Sequence, residues 1–140
     1  MFAIVKHSSY LCSVIKHRGY PPNETLKDMT TKEFQAVKKI ASENPEGFTI
    51  NTETLKHVKA DAWVVAYKET QDSFGDEGLR RAFDFARAHS KVFGGWQSGE
   101  RYYYDADMLI EDREEAIKVA KANAQLSIYN IKTAEYIEIK

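Results

Sequence analysis

One cysteine, three prolines and seven glycines in 140 residues place few covalent or conformational constraints on this chain. A lone Cys12 has no partner for an internal disulfide, which points to a reducing compartment and to a fold held by its core. No apolar run approaches the roughly 20 residues that cross a bilayer, and the opening Phe2-Ala3-Ile4-Val5 meets Lys6 and His7 at once, too soon for a signal peptide. The expected location is cytoplasmic, without membrane association. Charge of one sign is also missing. The net charge is −1, with +3 over residues 1–68 and −4 over 69–140. That is too little for the basic stripe of a nucleic-acid binder or for an acidic DNA mimic, so direct nucleic-acid binding is not expected.

Catalytic signatures are absent as well. There is no G-x-S-x-G, no P-loop and no G-x-G-x-x-G, and Gly94-Gly95 lacks the following helix that would hold a phosphate. His7, His17, His57 and His89 are scattered, with no metal-binding spacing and no cysteine cluster beside them. The acidic stretch Asp105, Asp107, Glu111, Asp112, Glu114 and Glu115 fails as an EF-hand, because Leu109 and Ile110 stand where an oxygen ligand and a glycine are required. No catalytic residue, metal or cofactor is therefore assigned.

What is present is an ordinary globular composition, 43% apolar and 29% charged, in a chain of single-domain length. Phe2 to Val5 and Tyr10 to Ile15 read as strands, and Gly19-Tyr20-Pro21-Pro22-Asn23 as a loop, so residues 1–28 form an N-terminal strand-and-loop extension. Thr30 and Glu33 make a capping box for a helix over 31–43, which Asn44-Pro45 stops. Phe48 to Ile50 and Leu55 to Val58 suggest a small hairpin. Trp63 to Tyr67 reads as a strand buried on both faces, in the middle of a sheet. Asp76 is placed to cap a helix running to about His89, with Leu79, Ala82, Phe83 and Ala86 on its apolar stripe. Val92 to Trp96 and Arg101 to Ile110 flank Gln97-Ser98-Gly99-Glu100 as a hairpin. Asp112 and Glu115 cap a third helix, and Leu126 to Ile131 with Tyr136 to Ile139 close the chain as a second hairpin. The order predicts one α+β domain, about three helices packed on a mostly antiparallel sheet.

The densest group of recognition-type residues is Gly94-Gly95-Trp96, Gly99 and Arg101-Tyr102-Tyr103-Tyr104-Asp105. Strand alternation sets Tyr102 and Tyr104 on one face and Arg101, Tyr103 and Asp105 on the other. Aromatic rings with polar tips dominate interface hot spots, so Trp96, Arg101, Tyr103, Asp105, Glu111 and Asp112 are the candidate contact residues. The same residues also suit a β-bulge at Gly94-Gly95 with cross-strand aromatic pairs. Asp105 and Asp107 share a face, which leaves a small metal-dependent enzyme acting on nucleotides or nucleic acids as an alternative.

Gly47-Phe48-Thr49-Ile50, Tyr67-Lys68-Glu69-Thr70-Gln71-Asp72-Ser73-Phe74-Gly75, Gly94-Gly95-Trp96, Tyr103-Tyr104-Asp105 and Asn123-Ala124-Gln125 together resemble small proteins of phages and conjugative elements of gut bacteria, over residues 47–140. That group includes anti-CRISPR inhibitors of RNA-guided nucleases. The resemblance implies a non-catalytic protein-binding module of a mobile element, with a host defence effector as its protein partner. Exposed aromatics and the terminal strand Tyr136 to Ile139 also suit a self-associating structural protein, a homo-oligomer formed by strand pairing.

Overall fold

The computed structural model describes residues 28–139. The expected strands at 2–5 and 10–15, the loop at 19–23 and Cys12 lie outside the described residues. The rest is one α+β arrangement of three helices and seven antiparallel strands. Among the described residues no helix is long and apolar enough to cross a membrane.

Helix α1 (Thr31–Glu43) begins where the sequence places its cap. Thr30 Oγ1 accepts from Glu33 N at 3.0 Å, and Glu33 Oε1 accepts from Thr30 N at 2.9 Å. Strand β1 (Phe48–Asn51) follows. The expected hairpin partner at 55–58 is not a strand. Asn51 Oδ1 accepts from Glu53 N and Thr54 N, Leu55 turns through φ 59°, and the chain returns with a single bridge, Ile50 to His57. The asparagine side chain substitutes for backbone partners and ends the strand.

Strand β2 (Trp63–Ala66) is buried at all four positions. A short 3₁₀ turn, Lys68–Thr70, leads to the two-residue β3 (Ser73–Phe74) and helix α2 (Gly75–Ala88). Asp76 does not cap α2. Pairing with the later strand holds Phe74 extended, so the helix starts at Gly75, and Asp76 in the first turn binds Lys38 of α1 at 2.8 Å. Leu79, Ala82, Phe83 and Ala86 are fully buried as the periodicity predicts. Strands β4 (Val92–Ser98) and β5 (Arg101–Ile110) form the expected hairpin, turning at Gly99 with φ 64°. Helix α3 (Arg113–Ala122) starts with Asp112 accepting from Glu115 N at 2.8 Å, and β6 (Ser127–Asn130) and β7 (Tyr136–Glu138) complete the chain.

The strands lie in the order β1-β4-β5-β2-β6-β7, with β3 also on β5. The two middle strands of this path are β5 and β2, so Trp63–Ala66 lies in the interior of the sheet as its burial predicts. Residues 101–106 of β5 pair with β4, residues 103 and 104 also with β3, and residues 107–110 with β2. One long strand thus joins two half-sheets. Its even positions face the helices. Tyr104 and Ala106 pack with α1 and α2 around Phe83 and Phe93, while Met108 and Ile110 pack with α3 around Trp63, Val65 and Ile128. Each fully buried Phe, Leu or Ile there contributes roughly 1.5–3 kcal/mol by leaving water. An ion pair at 2.7 Å ties Arg87 of α2 to Glu33. Burial works against that charge, yet hydrogen bonds from Thr30 and Arg87 hold the Glu33 carboxyl below its usual range.

Gly94-Gly95 is not a bulge, since β4 and β5 keep an unbroken register from Phe93–Ala106 to Ser98–Arg101. The glycines make room instead. A Cβ on Gly94 would lie 2.5 Å from Asp107 Oδ2 and 3.0 Å from the Phe48 carbonyl oxygen, and one on Gly95 would lie 2.7 Å from the rings of Phe48 and Tyr102. Ring edges can swing aside and a ladder carbonyl cannot. Gly94→Ala should therefore cost about 2 kcal/mol in denaturant unfolding, more than Gly95→Ala, with Thr30→Ala costing about 1 kcal/mol through its lost cap. A neutral Gly94→Ala would contradict the close approach.

Candidate functional site on the reverse face

The odd positions of β5, namely Arg101, Tyr103, Asp105, Asp107 and Leu109, face away from the helices. They divide into an aromatic ladder, a buried acid pair and an apolar patch. The ladder follows from register, because Trp96, Tyr103 and Phe74 are direct neighbours across β4, β5 and β3. Trp96 and Tyr103 stack at 5.5 Å, Phe74 meets Tyr103 edge-on at 5.9 Å, and the Arg101 guanidinium lies 4.2 Å above Phe74. Exposure rises along it. Trp96 is 5% exposed, Tyr103 is half-buried, Phe74 is 37% exposed and Arg101 is open to solvent.

This gradient sorts the sequence candidates. Arg101 and Tyr103 offer surface. Trp96 does not, because it anchors an apolar cluster with Val64, Leu109, Ile131 and Tyr103. Asp105 is buried too. Glu111 and Asp112 are exposed, but they sit past the other end of a ten-residue strand, roughly 30 Å from Arg101, and Asp112 serves α3 as its cap. Phe74 is the residue the sequence reading missed. A two-residue strand has no periodicity to detect, and only its aromatic ring just before Gly75 marked it.

The acid pair lies two residues further along. Asp105 and Asp107 share a face as the alternation predicts, and both are buried against Gly94. Asp107 Oδ1, Asp107 Oδ2 and Asp105 Oδ1 have no hydrogen-bond donor. Burial raises the pKa of both carboxyls, and the neighbouring Asp105 charge raises Asp107 further. Ser90 Oγ donates to the Asp107 carbonyl oxygen. Burial likewise raises the Tyr67 phenol, with Asp107 adding to it. Among the described residues no three His, Cys, Asp or Glu side chains come together as metal ligands would.

A cleft of about 540 Å³ opens beside the strand ends, lined in part by Gly47, Thr49, His57, Gln97, Tyr129 and Ile131. It joins mixed polar and apolar groups and does not reach Asp105 or Asp107. No family model, curated protein or solved structure matches the chain.

The exposure gradient has a measurable consequence. Trp96→Ala removes a buried ring and should cost about 3–5 kcal/mol, whereas Phe74→Ala loses an exposed ring and one cation–π contact, at about 1 kcal/mol. Equilibrium unfolding of the two variants checks this, and equal costs would mean the ladder is buried or exposed throughout.

Proposed function

We propose that this chain is a non-catalytic protein-binding module of a mobile element, that its contact surface is the open end of the ladder, and that it inhibits a host defence effector of the RNA-guided nuclease class in the cytoplasm. The observation that carries the binding reading is Phe74, 37% exposed with Arg101 stacked on it at 4.2 Å. Aromatic and arginine side chains dominate interface hot spots, and rings already held by neighbours lose little freedom when a partner covers them. Tyr103 braces Phe74 from one side and Arg101 covers it from the other. The resemblance of residues 47–140 to small phage and conjugative-element proteins supports the choice of partner class.

Affinity capture with purified RNA-guided nucleases should retain one of them. Phe74→Ala combined with Arg101→Ala should weaken that complex at least about 30-fold, corresponding to a hot-spot loss of about 2 kcal/mol. Asp112→Asn, at the far end of β5, should leave binding unchanged. If no effector is retained, or the double variant binds like the parent, the reading fails.

Self-association has an observation of its own. Among the described strands β7 pairs with β6 alone, and it exposes Tyr136 at 43%. Light scattering across a concentration series should reveal a dimer that Tyr136→Lys dissolves; a monomer at every concentration removes this reading.

A further inference from the structure

Asp105 and Asp107 flank the point where β5 changes partners. On the β4 side the last register pair is Phe93–Ala106, and on the β2 side the first is Ala66–Asp107. Between them the backbone is held by hydroxyls and a loop amide. Thr70 Oγ1 accepts from Ala106 N at 3.1 Å, Tyr67 N donates to the Ala106 carbonyl at 2.9 Å, and Ser90 Oγ donates to the Asp107 carbonyl. Oxygens of both carboxyl groups crowd one point beside Gly94, where a Cβ would lie 2.5 Å from Asp107 Oδ2 and 3.1 Å from Asp105 Oδ1. Two carboxylates bring no hydrogen of their own, and three of their four oxygens are buried without a donor. A proton on one oxygen turns the contact into a charge-assisted O–H···O⁻ bond and removes one of two buried charges.

The surroundings offer no other remedy. Gly94 faces the pair from β4 and Ala66 from β2, neither of them titratable. Burial is the main cause that raises the Tyr67 and Tyr102 phenols, with smaller additions from Asp107 on Tyr67 and Asp105 on Tyr102, so neither supplies a charge that offsets the pair. Among the described residues no lysine, arginine or histidine offsets either carboxyl.

We propose that Asp105 and Asp107 hold one proton between them in the folded protein, and that this proton is a latch. While it is held, β5 runs unbroken through both half-sheets. When it is lost to solvent, the two carboxylates repel, and the half-sheets loosen about residues 105–107. The sign follows from linkage. The folded pair binds protons more tightly than the unfolded chain, so its stabilisation is complete below the ordinary aspartate value of 3.8 and is lost as the pH rises through the raised folded values. This is opposite to Glu33 and Asp76, whose lowered values make their stabilisation fail in acid. Asp84, raised to about 6 mainly by burial, adds a slope of the same sign and needs its own control.

Two measurements on the full chain test the latch. Difference infrared spectra of the parent against Asp107→Asn at neutral pH should show the carbonyl stretch of a protonated carboxylic acid, and it should persist in an Asp84→Asn background. The thermal midpoint of the parent should fall by roughly 10 °C between about pH 5 and pH 9, while Asp107→Asn, whose amide can donate to Asp105, should lose at least half of that slope and melt above the parent at the alkaline end. If Asp107→Asn does not fold, Asp105→Asn replaces it, and a pH titration of the parent's infrared band decides alone. A folded parent without the protonated-acid band at neutral pH overturns the proposal, as does an equal slope in parent and variant. So does a stoichiometric bound cation found by elemental analysis in place of that band.

Discussion

Everything in this structure depends on β5 being shared. Among the described strands it is the one whose ten residues pair in both the half-sheet that carries α1 and α2 and the half-sheet that carries α3. A strand that changes partners midway leaves backbone groups facing gaps at the handover, and buried gaps must be filled. Thr70, Tyr67 and Ser90 fill them, each from a connecting segment rather than a strand. Thr70 does more than one job, since its hydroxyl also donates to the Tyr67 carbonyl at 3.3 Å and its own carbonyl accepts from Ser73 Oγ at 2.9 Å. That sequence of bonds sets where β3 rejoins β5, and hence where Phe74 meets Tyr103.

The same strand carries two different faces because the pleat alternates. On the helix side Ala106 is small, which lets α2 approach, and Tyr104 and Phe93 stack at 5.8 Å beside it. Burial pushes the Tyr104 phenol up to about 12, so it packs as a neutral ring. On the reverse side the neighbour of Asp105 is Gly94, and any larger residue would strike a carboxylate oxygen. The paired glycines and paired aspartates are therefore one arrangement. Gly94 admits the acids, and Gly95 admits the rings of Phe48 and Tyr102, which themselves stack at 6.2 Å.

Much of the fold was legible because it rests on local rules. The capping residues at Thr30 and Asp112 set two helix starts, the 3.6-residue period set the buried stripe of α2, and alternation along 101–107 divided that strand's faces correctly. What escaped was long-range. The burial of β2 at all four positions marked it as an interior strand, but that β5 pairs in both half-sheets depends on which surfaces meet after folding. Asp76 looked like a cap because nothing local announces that Phe74 is held by Tyr103 across thirty residues of chain. Within the candidate site, Arg101 and Tyr103 were legible from alternation. Asp105, Glu111 and Asp112 had been joined by sequence proximity, and a strand spreads such neighbours over its whole length and onto both faces.

The burial of Asp105 and Asp107 is the point on which local and global reasoning part. A charged residue on a strand is ordinarily read as solvated, since leaving water costs a carboxylate several kcal/mol. Two of them on one face, next to Gly94, with three oxygens lacking donors, make an apolar replacement the more stable choice on packing grounds alone. Their presence at the strand's handover, between the ladder at Tyr103 and the apolar cluster at Leu109, places the least satisfied polar groups of the described sheet where its two halves join. A proton is the smallest group that can satisfy them without moving a strand. Its gain or loss acts on the one segment that both halves require, two residues from the aromatic ladder that reaches the surface.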